Sequence, residues 1–97
     1  MCLINFVFQQ LTDQIMVKVL FFAKAKEIVQ TSESNLTLAS NLTVDQIYQA
    51  LEKKWPKLKI LKRTFALALN EEYLEQDSTV TLNQNDILAV IPPISGG

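Results

Sequence analysis

The segment from Thr43 to Trp55 sets the tightest limit on what this chain can fold into. Val44, Ile47, Tyr48, Leu51 and Trp55 recur at helical spacing and build one apolar stripe. Thr43 is a good N-cap, and Gln46 three residues later completes a capping box in which each residue satisfies an orphan amide. Pro56 lacks an amide hydrogen and disfavours helix at the residue before it, so the helix is predicted to end near Trp55. A helix with one apolar stripe must be covered, and most of the remaining chain reads as strands that could cover it.

Val17 to Ala23 is apolar and β-branched or aromatic at most positions, which predicts a well-buried strand. Lys24 to Val29 reads as a short helical turn. Asn35 to Ser40 alternates, with Leu36 and Leu38 on one face, and predicts a second strand with one buried face. An antiparallel hairpin with a long connection is the simplest pairing of the two. Asn41-Leu42-Thr43 reads as an interruption before the helix. Phe65 to Leu69 predicts a third strand, Asn70-Glu71-Glu72 a turn, and Tyr73-Leu74 a short return strand. Asp77 to Val80 reads as a second polar interruption, after which Asp86 introduces a last strand, Ile87 to Ile91, stopped by Pro92-Pro93. The expected fold is α+β: a mixed sheet packed on one main helix, the β-grasp arrangement, over residues 16–93.

At 97 residues there is room for one domain, and the 48% of hydrophobic residues can supply its core. Nine basic and ten acidic residues leave a net charge of -1, without the basic excess of a nucleic-acid binder. Lys53, Lys54, Lys57, Lys59, Lys62 and Arg63 are read as the solvated end of the helix, where cations also complement the helix dipole. The lone Cys2 cannot close a disulfide within the chain, which fits a cytosolic protein. One Cys and no His cannot assemble a zinc site, and the lack of His removes the usual general base near neutral pH. Catalysis, if the protein takes part in it, is expected to come from a partner.

Residues 1–15 look unlike the rest of the chain. Their apolar part, Cys2 to Phe8, is too short to span a bilayer and lacks the basic flank of a secretory signal. They are read as an N-terminal extension, disordered or upstream of an alternative start at Met16. The competing reading is an extra strand or apolar contact segment.

Both glycines of the chain are its last two residues. A buried strand leads into two prolines, which stiffen the exit and keep the end from folding back into the sheet. Ile94, Ser95, Gly96 and Gly97 could reach roughly 13–14 Å beyond Pro93 when extended. Without Cβ atoms, Gly96 and Gly97 fit a slot too narrow for other residues and leave the terminal carboxylate open to attack. A carboxylate is a poor electrophile, but an acyl adenylate has a good leaving group. Sulfide would convert the adenylate to a thiocarboxylate, and an amine would convert it to an amide.

Two stretches resemble the small, sulfur-carrying subunits of molybdopterin synthase. Val19-Leu20-Phe21-Phe22-Ala23-Lys24-Ala25-Lys26-Glu27-Ile28 looks like their opening. Asp86-Ile87-Leu88-Ala89-Val90-Ile91-Pro92-Pro93-Ile94-Ser95-Gly96-Gly97 resembles their end more closely still. The likeness covers about residues 17–97. It implies a ubiquitin-like β-grasp with a flexible Gly-Gly tail at 94–97, and a cytosolic sulfur carrier that is the non-catalytic, sulfur-donating subunit of the synthase complex, with the enzyme status of the isolated chain left open. A ubiquitin-activating-like adenylyltransferase would use ATP to adenylate Gly97, which then becomes a thiocarboxylate; no cofactor stays bound. Pro93, Ile94, Ser95 and Gly96 would thread the tail into the large synthase subunit, where sulfur passes to cyclic pyranopterin monophosphate to form the molybdopterin dithiolene. The implied assembly is a heterotetramer, without nucleic acid or membrane.

Three other readings stay open at this point. One is a ubiquitin-like modifier joined through Gly97 to lysines, against which the Pro-Pro-Ile-Ser tail argues. The second is the sulfur carrier of thiamine thiazole synthesis, and the third a β-grasp binding module with an idle tail. Phe65, Leu67 and Leu69 are expected in the core rather than on a partner-facing side. Asp86 is read as orienting the last strand or forming a turn, and Glu71 and Glu72 as solvent-exposed.

Overall fold

The computed structural model describes residues 14–93; the N-terminal segment 1–13 and the tail 94–97 lie outside the described residues. The main helix, α2 (Val44–Lys54), forms as its sequence dictates. Thr43 Oγ1 accepts from the Gln46 amide at 3.1 Å, and Gln46 Oε1 accepts from the Thr43 amide at 2.8 Å. Trp55 is its C-cap, and Pro56 begins a 3-10 helix, Pro56–Leu61, that periodicity did not announce. Proline suits that position, because a first-turn amide has no helical partner in any case.

The strands are β1 (Gln14–Phe21), β2 (Glu33–Ala39), β3 (Asn41–Thr43), β4 (Ala66–Leu69), β5 (Glu72–Tyr73), β6 (Thr79–Thr81) and β7 (Ile87–Ile91). A short helix, α1 (Ala23–Val29), follows β1. Five strands make a mixed sheet in the order β2-β1-β7-β4-β5, with β1 and β7 parallel and the other pairs antiparallel. The first hairpin is the antiparallel pair its sequence predicts.

Two expectations need correction. Asn41–Thr43, read as an interruption, pairs with Thr79–Thr81, which overlaps the polar interruption read at Asp77 to Val80, in a two-stranded ribbon in which Leu42 faces Val80. Each strand has one apolar residue between two polar ones, too short a pattern to register as alternation. The first strand also begins at Gln14 and ends at Phe21, so Gln14 and Ile15 belong to it: they pair with Ala39 and Leu38. Most of the proposed extension, residues 1–13, lies outside the described residues.

The core lies between the sheet and α2. Val17, Val19 and Phe21 of β1, Leu36 and Leu38 of β2, Leu67 of β4, and Leu88 and Val90 of β7 meet Ile47, Tyr48 and Leu51 of the helix. Phe65 and Leu67 are buried as expected. Tyr48 donates its hydroxyl to the Phe65 carbonyl at 2.7 Å, and the two rings pack with centroids 5.1 Å apart. Burial lifts the Tyr48 pKa above its ordinary value, and the Arg63 guanidinium over the ring offsets part of this. The neutral phenol thus persists to higher pH in the folded chain than in the unfolded one. Its contribution is fully present below pH 10 and is lost as pH rises through the folded pKa. Tyr48→Phe is expected to cost about 1 kcal/mol at pH 7 through the lost hydrogen bond. It should also flatten the fall in urea stability above pH 10; an alkaline limb as steep as that of the unaltered chain would count against this account.

The β4–β5 turn shows strain that a sequence can relieve. Asn70 and Glu71, its two central residues, have φ of 49° and 74°. Positive φ at both positions is the signature of a type I′ hairpin turn, for which Asn-Gly is the preferred pair. Glu71 holds this conformation against its own Cβ. Glu71→Gly is expected to stabilise the protein by about 0.5 kcal/mol, the strain relieved exceeding the backbone entropy lost. Thermal unfolding would show a rise of a few degrees, and a fall would contradict it.

Candidate functional site

The elements around the end of β7 define the site. β7 is the central strand, flanked by β1 and β4, with Phe21 opposite Val90 and Ala66 opposite Ile91. Pro92 is buried and Pro93 exposed. A proline offers no amide to a neighbouring strand, so the ladder stops here and the chain leaves the sheet. Beside this exit, the Phe22 amide donates to the Val90 carbonyl at 3.2 Å, holding the end of β1 against the end of β7. Of the residues assigned to the tail by sequence, Pro93 lies at this exit, and Ile94, Ser95, Gly96 and Gly97 lie outside the described residues.

The start of β7 is fastened by polar groups. Asp86 Oδ2 accepts from the Asn83 amide at 2.8 Å, and Asp86 Oδ1 accepts from Asn70 Nδ2 at 3.1 Å. Asn70 Oδ1 in turn accepts from the Ile87 amide at 3.0 Å. Asp86 therefore does both things its sequence position suggested: it closes a turn and orients the last strand against the β4–β5 hairpin.

Sequence reasoning missed the second face of the sheet. Leu20, Phe22, Ala68, Tyr73, Ile87, Ala89 and Ile91 line a shallow apolar groove on the side away from α2. Phe22 is 46% exposed, Tyr73 69% and Ile87 41%. Exposed apolar residues are ordinary when scattered; a contiguous set on one face is a candidate interaction surface. The signal was present: β7 is apolar at every position, which for a strand means that both faces seek cover. The groove runs along β7 to the exit, with Glu71 and Asn70 at its far rim.

The site has no catalytic constellation among the described residues. Glu71 and Glu72 are exposed, as expected for neighbours on a turn. Asp45 and Glu52 are ion-paired with Arg63, at 2.5 and 3.2 Å. What the arrangement offers is a rigid exit beside an apolar face: a platform that presents a chain end. No described helix is long and apolar enough to cross a membrane.

Comparison with known proteins fits this geometry. The ThiS family matches residues 19–97, through both terminal glycines. The molybdopterin synthase sulfur carrier subunit of Arabidopsis thaliana is 38% identical over 86 residues, 89% of this chain and 88% of that protein. Among solved structures, SAMP1 from Haloferax volcanii superposes with a TM-score of 0.71 at 21% identity, covering 84% of this chain and 99% of that one. A complex of subunits 1 and 2 of the molybdopterin-converting factor from Helicobacter pylori contains a chain that superposes with a TM-score of 0.61. It is 24% identical, over 86% of this chain and all of that one. The last two likenesses establish the ubiquitin-like β-grasp fold.

Proposed function

Because the chain belongs to the ThiS family, and within it to the molybdopterin synthase sulfur carrier subunits, we propose that Gly97 carries sulfur for molybdopterin formation. The observation that carries this reading is that the family match runs to residue 97, so it includes Gly96 and Gly97 as well as the fold. A partner adenylates the Gly97 carboxylate with ATP, and sulfide displaces AMP to leave a thiocarboxylate. The carboxylate is negative and unreactive, so the adenylate is what makes attack feasible. The large subunit takes the tail and passes its sulfur to cyclic pyranopterin monophosphate. This chain supplies the sulfur and its delivery; the acid–base chemistry belongs to the partners. It holds no resident cofactor and works in the cytosol.

The apolar sheet face is the natural docking surface for the large subunit. It lies beside the exit of β7, so seating it would aim Pro93 and the residues after it into the partner. The assembly in this reading is a heterotetramer, one small subunit at each end of a large-subunit dimer.

Intact mass with C-terminal peptide mapping, on protein isolated from cells making molybdenum cofactor, tests the reading. An oxygen-to-sulfur increment confined to Gly97 is expected. Finding Gly97 joined to lysines of other proteins, with no thiocarboxylate under sulfur-replete conditions, would replace this reading with a protein modifier.

A further inference from the structure

The charges of this chain are divided along its sequence. Residues 53–63 hold six of the nine basic residues and no acidic one. Residues 64–97 hold five of the ten acidic residues and no basic one. Folding turns that division into one of space. The 3-10 helix leads from the end of α2 toward β4, whose first residue, Ala66, faces the last residue of β7. It also packs against α1, which follows directly from the end of β1. Lys24, Lys26, Lys57, Lys59 and Lys62, all exposed, therefore gather at the end of the sheet where β7 runs out. Glu71, Glu72 and Asp86 sit at the opposite end, on the β4–β5 turn and at the start of β7.

The acids near this end already face basic side chains: Glu27 lies 3.8 Å from Lys24, Glu33 3.7 Å from Lys18, and Glu52 3.2 Å from Arg63. Among the described residues, Lys26, Lys57, Lys59 and Lys62 have no carboxylate at salt-bridge distance. One apolar side chain, Ile60, stands among these lysines. This side chain is 69% exposed in the midst of them, while Leu58, on the same 3-10 helix, is fully buried. An apolar knob ringed by cations is suited to a protein surface with a recess bordered by carboxylates. A membrane or nucleic acid fits less well: the chain is net negative, and the neighbouring Trp55 is partly buried against the core.

We infer that this end is a docking collar around the root of the tail, and that the large subunit meets it with an acidic rim around the slot that receives the tail. The inference rests on the reading of the chain as a tail donor. The collar meets the apolar sheet face at Phe22, which lines one shallow cavity together with Lys26 and Leu20, and the sheet is basic at its tail end and acidic at its Glu71 end. That polarity fixes the direction of approach. Complementary charge accelerates encounter by roughly 10–1000-fold and is screened over about 8 Å at physiological salt.

The test is the association rate of the full chain with its own large subunit, measured by stopped flow across a salt series. The triple variant K57E/K59E/K62E is expected to associate at least tenfold more slowly at low salt, and to lose the fall in rate that added salt causes in the unaltered chain. Ile60→Ala should leave the association rate nearly intact and speed dissociation severalfold. Reversal at the far end, E71K/E72K, should slow association much less than the triple change. Circular dichroism and thermal unfolding establish that each variant is folded. A folded triple variant with the unaltered rate and salt slope would overturn the inference. So would one that lost only its retention on anionic vesicles or heparin. Failure of the parent reading looks different: Gly97 would then never acquire sulfur in the unaltered chain, whatever the lysines do.

Discussion

Deleting Gly96 and Gly97 is expected to abolish sulfur transfer while leaving the melting temperature within about two degrees of the unaltered chain. The two effects separate because the described core is assembled by β1, β2, β4, β7 and α2, all before residue 94, whereas the chemistry is assigned to the last residue of the chain. Without Gly97 the terminal carboxylate is two residues nearer the sheet, a retreat of roughly 7 Å at extended-chain spacing. It would also sit on Ser95, whose Cβ and hydroxyl widen a chain end suited to a narrow slot. A misplacement of even about 1 Å can reduce a reaction a hundredfold, so a shift of this size should leave no measurable turnover. The assay is single-turnover conversion of cyclic pyranopterin monophosphate by the reconstituted complex, with the sulfur state of the C-terminus followed by mass. Retained transfer in the deleted chain would return the protein to the class of binding modules with an idle tail.

The second large effect is expected from Ala89→Asp. Ala89 lies in the middle of β7, on the face away from α2, within the apolar groove between Leu20 and Ala68. A carboxylate there stays in water in the free chain, so stability should change by no more than about 1 kcal/mol, the span of β-propensity. In the complex it would be desolvated among apolar groups, an effect of about 2–4 kcal/mol, or roughly 30- to 1000-fold in affinity. Titration calorimetry against the large subunit measures it. Affinity unchanged in a folded variant would show that this face is not the docking surface. The collar would then have to hold the complex by itself.

The helix, the alternation of the second strand, and the last strand with its stop are all legible in the residues before any folding. Thr43, Gln46 and Pro56 act on their nearest neighbours, and so do the prolines that end β7; local rules of capping and amide loss suffice for these. The proposal for Gly97 also starts from sequence alone, since the need to activate a free carboxylate before attack can be argued without a fold. Tertiary structure decided what depends on pairing between distant residues. Asn41–Thr43 and Thr79–Thr81 become strands only because each completes the other, and neither has enough alternation to announce itself. The two faces of β7 differ because α2 covers only one, leaving Ile87, Ala89 and Ile91 toward the groove. The charges show this most plainly. A run of lysines reads in sequence as a solvated helix end, because sequence gives no direction to β7. Only once β1, β4 and β7 are laid side by side do α1 and the 3-10 helix meet at the strand end from which the tail departs.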